Sequence, residues 1–243
     1  MKKFFTIGLL IFFFSLTAQE KEILVFHKTD GFYHESIPTG IETIKDLGEE
    51  NGFNVEVTKD SYHFSAENLR NYDLIIFLNT TGNILNSEQQ TAFEKYMESG
   101  GNFFGIHAAA DTEYEWEWYG KLVGAYFLDH PEVQEANITV EAPDHPIVSH
   151  LPSVWPRKDE WYNYKDINPE IKVLLRLDES TYQGGKNGKD HPIAWYQELE
   201  HGGVSIYTGS GHTHESYAEP AFRQHLVQAI CYALNRDDSS IKQ

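Results

Sequence analysis

The segment GNFFGIHAAADTEY (residues 101–114) decides how this sequence is interpreted. Its first part, NFFGIH (102–107), is a short apolar run typical of a buried strand, and the residues after it predict a sharp turn into a helix. Many α/β enzymes carry a nucleophilic Ser or Cys at the apex of such a turn. Here the apex residue is His107. The segment predicts an α/β fold with a histidine in the place of a nucleophile.

Strands and helices alternate up to the end of this segment. Apolar runs predict strands at 22–27, 53–60, 73–79 and 102–107, and helical spacing predicts helices at 37–52 and 87–101. For the second helix, Ser87 is the expected N-cap and Gln90 the expected capping-box partner, with Gly100 ending the helix. This β-α-β-β-α-β order favours a parallel, doubly wound sheet.

The second half of the chain is less regular. We interpret its middle part as an insertion that builds one wall of a pocket. A short turn-helix is expected at 144–151 and a last helix at 219–235. Strands are expected at QEANITVEA (134–142), EWYNY (160–164), IKVLLRLD (171–178), PIAWYQ (192–197) and GVSIYTG (203–209). Without an internal repeat or linker, residues 19–243 are expected to form a single domain.

The N-terminus has the pattern of a secretory signal peptide. A positive start (MKK), an apolar run (FFTIGLLIFFF) and small residues (SLTAQ) predict a signal over residues 1–18, cleaved near Ala18. The alternative is an N-terminal anchor helix, but the apolar run is short for a membrane span. The protein is therefore expected to be exported, periplasmic or secreted, with no membrane span after cleavage.

Charge and cysteine content narrow the class of partner. The formal net charge of −18 argues against nucleic acid and anionic membrane surfaces as partners. A neutral or cationic small molecule fits better. The single Cys231 lies in an apolar helical pattern and cannot form an internal disulfide.

Polar residues cluster after several predicted strands. In open α/β sheets, ligands bind beyond the carboxyl ends of the strands. His34 follows the first predicted strand, His107 and Asp111 follow the fourth, and His212 follows the last. We expect these side chains to meet at one edge of the sheet. The remaining histidines considered have no such support and are taken as structural or surface residues: His63, His130, His145, His150, His201 and His225.

Two kinds of chemistry are compatible with these residues. A zinc site needs three or four converging ligands, and the pair His212 and His214 offers an HxH spacing. Without a metal, a histidine near neutral pKa is a suitable base, and other His or Tyr groups can stabilise negative charge. No Ser-His-Asp or Cys-His set is convincing, and TGNILN lacks the lysine of a phosphate loop. A divalent metal and metal-free acid–base chemistry both remain open.

Aromatic residues concentrate in EYEWEWYG, DEWYNY, STYQ and AWYQ, which hold four of the five tryptophans. The fifth tryptophan lies in PSVWPRK. Exposed rings stack on the apolar faces of sugars, whereas buried rings pack in a core. The sequence allows a sugar-lined pocket or ordinary core packing.

Several long blocks together resemble a known family. The chain from about residue 22 to 236 is similar to ThuA-like (trehalose-utilisation) proteins through DGFYHES, GIHAAADTEYEWEWYGKLVGAYF, DHP, KDEWYNY, LDESTY, DHPIAW and YTGSGHTHESYAEPAF. The resemblance implies a flavodoxin-like three-layer α/β sandwich with a central, mostly parallel sheet, related to class I glutamine amidotransferases. It places His107 where that superfamily has its catalytic Cys, so amidotransferase chemistry is not expected. It also implies a role in carbohydrate catabolism, especially of 3-keto sugars, and functional coupling to sugar oxidoreductases.

The resemblance also implies a set of recurring polar positions. We predict His107, His34, Glu160 and His212 as catalytic residues. We predict substrate contacts from Asp111, Tyr162, His191 and Trp161, and a divalent metal as a candidate cofactor. His214 departs from the family, which more often has a small residue there, and this weakens the HxH hypothesis.

The leading hypothesis is an exported enzyme acting on a sugar or 3-keto-glycoside. His107 or His34 would remove the acidic C2 proton, His212, Tyr162 or a metal would stabilise the enolate, and Glu160 would protonate the leaving group or orient a histidine. Elimination, hydrolysis and isomerisation all fit. One alternative is a non-catalytic sugar-binding or partner protein. Another is a conventional glycosidase, which needs two carboxylates about 5–10 Å apart. Asp111 and Glu160 are the candidates for that pair.

Overall fold

A computed structural model describes residues 20–235. The predicted signal peptide (1–18) lies outside the described residues. Within residues 20–235, no helix has the length and apolar character needed to cross a membrane. The helices are α1 (Ile37–Asn51), α2 (Ala66–Leu69), α3 (Ser87–Glu98), α4 (Glu117–Val123), α5 (His214–Ala218) and α6 (Pro220–Leu234). The strands are β1 (Lys21–Phe26), β2 (Phe53–Thr58), β3 (Leu74–Leu78), β4 (Phe103–Ile106), β5 (Tyr126–Asp129), β6 (Gln134–Val140), β7 (Val154–Asp159), β8 (Asn163–Lys165), β9 (Lys172–Leu177), β10 (Pro192–Glu198) and β11 (Val204–Thr208).

A nine-stranded sheet organises the fold, in the order β2-β1-β3-β4-β11-β10-β9-β6-β7. The neighbours from β2 to β11 are parallel, and those from β11 to β7 are antiparallel. A separate ribbon pairs β5 with β8. The parallel half has the strand order of flavodoxin-like folds, with its reversal between β1 and β3. The predicted flavodoxin-like α/β fold is confirmed.

The central strands are apolar at successive positions because both faces of the sheet are covered. All residues of β3, β4 and β11 are buried. On one face, Phe77 of β3 stacks on Phe93 of α3 with 5.5 Å between ring centroids. Burying each such large apolar side chain contributes roughly 1.5–3 kcal/mol. The parallel half of the sheet therefore rigidly positions the loops that follow its strands at the carboxyl edge.

The predicted strands of the parallel half lie at their expected places, with ends shifted by one or two residues. The prediction of one strand at EWYNY was wrong. Strand β7 ends at Asp159 and β8 begins at Asn163, so Glu160, Trp161 and Tyr162 lie in the connection between them. Strand β7 itself was not predicted because Pro156 interrupts its pattern. It is an edge strand, where the missing N–H of proline is tolerated.

The turn-helix predicted at 144–151 was also wrong, because this segment forms turns only. The N–H of Val148 donates to the carbonyl of His145 at 3.0 Å, as in a single helical turn. Pro152 follows and cannot donate to continue a helix. The helices α2, α4 and α5 and strand β5 were not predicted, since each is too short for a clear periodic pattern.

The N-cap of helix α3 lies one residue earlier than predicted. Asn86 is the N-cap, and its side chain accepts hydrogen bonds from the backbone N–H groups of Glu88 and Gln89. Gln89 completes the capping box by accepting from the N–H of Asn86 at 2.9 Å. The predicted pair of Ser87 and Gln90 was therefore out of register by one residue.

We predict that Asn86→Ala lowers the free energy of unfolding by about 1 kcal/mol, because two helix N–H groups lose their acceptor. The measurement is urea unfolding followed by circular dichroism. Ser87→Ala is the matched control and should have little effect. A larger loss from Ser87→Ala than from Asn86→Ala would contradict the observed cap.

Candidate functional site

His107 occupies a sharp turn at the end of β4. The strand ends at Ile106, and a 3₁₀ helix runs from His107 to Asp111. His107 has a φ of 48°, in the left-handed region that residues other than glycine rarely adopt. A Cβ on Gly105 would lie 3.0 Å from the Cβ of Ala109, so the turn packs closely against its own strand. The expected strand–turn–helix arrangement is present, and His107 is its apex.

Four polar side chains from separate strand ends converge beside this turn. His34 follows β1, His107 follows β4, Glu160 follows β7 and His212 follows β11. Each offers one donor atom, and these atoms all lie within 4.8 Å of one another. Three of the residues are buried, and the His212 side chain is 23% exposed. We call this group the His34–His107–Glu160–His212 cluster. It contains the four residues predicted as catalytic, whose roles stay predictions.

The carboxylate of Glu160 is shared by three imidazoles. Its Oε2 lies 3.1 Å from Nδ1 of His212 and 3.4 Å from Nε2 of His107, and its Oε1 lies 3.0 Å from Nδ1 of His130. Burial opposes ionisation, but the hydrogen bonds and charges of His107 and His212 hold the pKa of Glu160 well below its usual range. Burial also opposes the charged form of His212, but Glu160 outweighs it and raises the His212 pKa.

His34 is a neutral, buried imidazole. Its ring lies 5.0 Å from the His107 ring and 5.1 Å from the His212 ring, edge-on to both. Its Nε2 is 3.5 Å from the hydroxyl of Tyr162, which is long for a hydrogen bond. Its buried Nδ1 has no hydrogen-bond partner among residues 20–235. Burial, reinforced by the charges of His107 and His212, lowers the pKa of His34 to about 2.

Neighbouring groups fix the ring of His107. Its Nδ1 lies 2.9 Å from the carbonyl oxygen of Gly209. A carbonyl can only accept, so we assign the proton to Nδ1. Its Nε2 then faces the cluster, 3.2 Å from Nδ1 of His212. The ring of Tyr162 packs against that of His107 with 4.2 Å between centroids.

The buried carboxylate of Asp159 aligns two members of the cluster. It accepts hydrogen bonds from the backbone N–H groups of Gly211 at 2.9 Å and His212 at 3.2 Å, and from the hydroxyl of Ser216 at 2.8 Å. Glu160 follows it directly and donates its own N–H to the same carboxylate. Asp159 therefore ties the end of β7 to the turn that carries His212.

Arg157 balances the charge of Asp159. One guanidinium nitrogen lies 3.5 Å from Asp159 and 3.1 Å from Glu219 at the start of α6. The guanidinium lies over the rings of Trp155 and Phe222, 4.6 Å from each centroid. This places a buried, paired positive charge beneath the site.

Two predicted substrate-binding residues lie beside the cluster. Tyr162 forms its wall, as described above. Asp111 is partly buried and accepts a hydrogen bond of 2.5 Å from the hydroxyl of Tyr114. Burial raises the pKa of Asp111, and the hydrogen bond from Tyr114 and the charge of His107 oppose this only in part. Asp111 is thus within electrostatic range of the cluster.

The other two, His191 and Trp161, are not brought to the cluster surface. Both are fully buried. His191 bonds to the carbonyl of Tyr162 at 2.8 Å and to Glu179 at 2.7 Å, and the indole N–H of Trp161 donates to the carbonyl of Gln134. His191 thus supports the backbone of Tyr162, whereas the polar atom of Trp161 is directed to Gln134, and the role of both as substrate contacts stays a prediction.

His214 does not join His212 as an HxH chelate. It begins α5, is exposed, and its Nδ1 lies 2.7 Å from the hydroxyl of Thr39. It is absent from the set of converging donors. His130 contacts the cluster through Glu160, although the sequence predicted a structural or surface role for it. His130 follows β5, a strand that was not predicted, so its place at a strand end could not be recognised.

Comparison with known proteins identifies the family. The family model for ThuA, trehalose utilisation, matches residues 22–233. The chain belongs to the ThuA family. A ThuA-like protein from Bacteroides uniformis has 27% identity and a TM-score of 0.77, with 93% of this chain and 96% of that chain covered. A ThuA-like protein from Parabacteroides merdae has 16% identity and a TM-score of 0.72, with 89% and 90% covered. A comparison with curated proteins gave no match.

The fold of this ThuA-family protein is also similar to that of glutamine amidotransferase-like structures. A GMP synthase protein from Thermoplasma acidophilum has 13% identity and a TM-score of 0.56, with 90% of this chain and 98% of that chain covered. At this identity the likeness shows the fold alone. Membership in the trehalose-utilisation family indicates a carbohydrate-related function.

The tryptophans of this ThuA-family protein pack in its core. Three are buried, and Trp116 and Trp118 are partly buried against the same core. Phe32 is different, because it is 65% exposed and its ring lies 5.0 Å from that of His34. Core packing explains the tryptophans, and Phe32 offers an exposed ring beside the cluster on which a sugar can stack.

We predict that Asp159→Asn lowers the free energy of unfolding by about 3 kcal/mol, because the buried Arg157 loses one of its two carboxylate partners. Chemical denaturation measures the change. Glu117→Gln, which breaks an exposed pair with Lys121, is the control and should leave stability nearly unchanged. Equal stability of Asp159→Asn and the parent protein would contradict the alignment role of Asp159.

Proposed function

We propose that this ThuA-family protein is an enzyme of carbohydrate metabolism that acts on a sugar or 3-keto-glycoside at the His34–His107–Glu160–His212 cluster. The observation that carries the proposal is the convergence of four polar groups, three of them buried, at the carboxyl edge of the sheet. Burying such groups is unfavourable unless they are paired. One of them, His34, has an unpartnered nitrogen within the described part of the chain. A role in binding and catalysis explains this arrangement better than a structural role does.

The proposed reaction begins beside the ketone. A C3 ketone makes the C2 hydrogen acidic, and removing it leaves an electron pair that forms an enolate. The enolate can expel the C1 substituent, giving a C1–C2 double bond and an alcohol once the departing oxygen is protonated. Adding water to that double bond would complete hydrolysis, and returning a proton without loss of the substituent would give isomerisation. The cluster would stabilise the enolate oxygen in each case.

In this proposal the cluster binds the oxygen and Asp111 moves the proton. A histidine with a pKa of about 2, such as His34, has little affinity for a proton at neutral pH. Both oxygens of Glu160 are occupied by imidazole nitrogens, so it is poorly placed as an acid for the leaving group. Asp111 is only partly buried, and burial raises its pKa toward the range useful for a base.

The N-terminal pattern supports a second part of the proposal, that the enzyme is exported. Its positive start, apolar run and small residues near Ala18 are typical of a cleaved signal. The mass of the protein recovered from the periplasm or medium tests this. A full-length mass, or recovery only from the cytoplasm, would contradict export.

We predict that His107→Ala reduces turnover of a 3-keto-glucoside by about 100- to 1000-fold, as expected when a group that stabilises an oxyanion is lost.

Asp111→Asn should reduce kcat by about 100-fold or more, as expected for loss of a general base. Product formation is followed by NMR, which also identifies the reaction type.

His201→Ala is the matched control, because His201 is exposed on the turn between β10 and β11. It should leave turnover unchanged. Calorimetric binding of the sugar without turnover by the parent protein would favour the non-catalytic alternative. Full activity of His107→Ala would exclude the cluster as the reaction centre.

A further inference from the structure

We propose that the His34–His107–Glu160–His212 cluster binds one divalent transition-metal ion, with zinc as the best-fitting ion. Metal binding itself is inferred from the donor atoms alone. The further statement that this ion polarises the sugar oxygen rests on the proposed function.

The spacing of the donor atoms is that of a metal shell. Bonds of about 2.0–2.2 Å place neighbouring donors roughly 2.8–3.1 Å apart in an octahedral shell and roughly 3.3–3.6 Å apart in a tetrahedral shell. Nε2 of His107, Nδ1 of His212 and Oε2 of Glu160 form a triangle. Its sides are 3.2 Å between the two nitrogens, 3.4 Å from His107 to Glu160, and 3.1 Å from His212 to Glu160. This triangle has the dimensions of one face of such a shell.

The distribution of protons also favours a cation. Because Nδ1 of His107 donates to Gly209, the neutral form of this ring, which is the form that binds metal, presents a lone pair at Nε2. Glu160 presents a second, negatively charged acceptor. The single N–H that Nδ1 of His212 can offer cannot point at both acceptors with good geometry. In that form the three donor atoms face one another with too few protons between them, and a cation at their centre would satisfy all three.

His34 provides the independent observation. It is 3% exposed, and its Nδ1 has no hydrogen-bond partner among the described residues. A buried polar atom without a partner costs about 1–3 kcal/mol. The low basicity that burial gives to His34 does not prevent metal binding, because a neutral imidazole is the form that binds metal. One ring nitrogen of His34 lies among the converging donor atoms, and ligation through Nδ1 would remove this cost.

Residues around the cluster orient its side chains, as the hydrogen-bonding partners of metal ligands do in known metal sites. The carbonyl of Gly209 fixes the ring of His107, and His130 engages the second oxygen of Glu160. Asp159 aligns the turn of His212 with the strand end of Glu160. These contacts position each of the three side chains of the triangle in the ion-free protein.

The ligand set selects the kind of ion. Imidazole nitrogens suit zinc, copper, iron and nickel, whereas magnesium and calcium prefer shells of oxygen. Such an ion acts as a Lewis acid that stabilises negative charge on a carbonyl oxygen. It would also occupy the lone pairs of the three histidines. This agrees with assigning proton transfer to Asp111.

The test measures metal content and metal affinity of the purified protein. After chelation and dialysis, the protein is reloaded with zinc, and bound metal is counted by elemental analysis. Cobalt is then titrated as a spectroscopic probe of the ligand set. We expect one ion per chain, a cobalt spectrum typical of mixed nitrogen and oxygen ligands, and a zinc-dependent rise in the midpoint of thermal unfolding.

Glu160→Gln and His212→Ala should weaken zinc affinity by about 100-fold or more. Loss of a residue that only hydrogen-bonds to a metal ligand already weakens affinity by about 10- to 100-fold in known sites. His214→Ala and His201→Ala are matched controls outside the cluster and should bind one ion normally. If His212→Ala unfolds, Glu160→Gln, which keeps the side-chain shape, still decides the question. No stoichiometric binding of zinc, cobalt, nickel or manganese by the parent protein would overturn the proposal. Unchanged affinity in both cluster variants would also overturn it.

The outcomes separate this inference from the proposed function. Stoichiometric metal without turnover of a 3-keto-glucoside would support the metal site and contradict the proposed substrate. Full turnover by the chelated, metal-free protein would support the substrate and contradict the role of the metal.

Discussion

The hydrogen bonds from Gly211 and His212 to the carboxylate of Asp159 are the constraint on which the site depends. Strands β4 and β7 are five strand spacings apart in the sheet order. In a flat sheet that separation would be about 24 Å, at about 4.8 Å per spacing. Yet Glu160, at the end of β7, lies 3.4 Å from His107, at the end of β4. The antiparallel half must therefore curl back over the carboxyl edge, and Asp159 holds it there.

Helix α6 supports this curled arrangement from the other side. The indole N–H of Trp155 donates to Glu219 at 2.7 Å, and Arg157 pairs with the same carboxylate. Arg157 therefore links β7 to the start of α6 and to Asp159 at once. The carboxyl edge of the parallel sheet, the edge strand of the antiparallel half and the last helix meet in one charged, buried contact. Stability and site geometry are coupled through it.

The turn at His107 shows how one fold can serve different chemistry. A left-handed residue at the end of β4 presents its side chain toward the carboxyl edge. The resemblance to class I glutamine amidotransferases implies a nucleophilic cysteine at this position in that superfamily. An imidazole at the same position, beside Glu160 and two more imidazoles, provides lone pairs instead. Lone pairs bind metal ions or protons, and this property is the basis of the chemistry that we propose.

Part of the site was predictable from the sequence alone. His34, His107 and His212 could be placed because each follows an apolar run that forms a strand, and parallel strands share one carboxyl edge. Glu160 was reached only through resemblance to the family, because Pro156 concealed the strand before it. His130 and Asp159 were missed. The first follows a short strand without a clear pattern, and the role of the second comes from hydrogen bonds to residues more than fifty positions away.

The sequence by itself determined the α/β fold, the parallel sheet of its first half and the histidine at the apex of the β4 turn, because these depend on local periodicity and on residue type. Only the tertiary structure decided which polar residues meet. It brought Glu160 and His130 to the histidines, left His214 outside, and buried His191 and Trp161. The physical reason is the curl of the antiparallel half. Its extent follows from long-range pairing and from the buried contact of Asp159 with Arg157, and no local pattern encodes either.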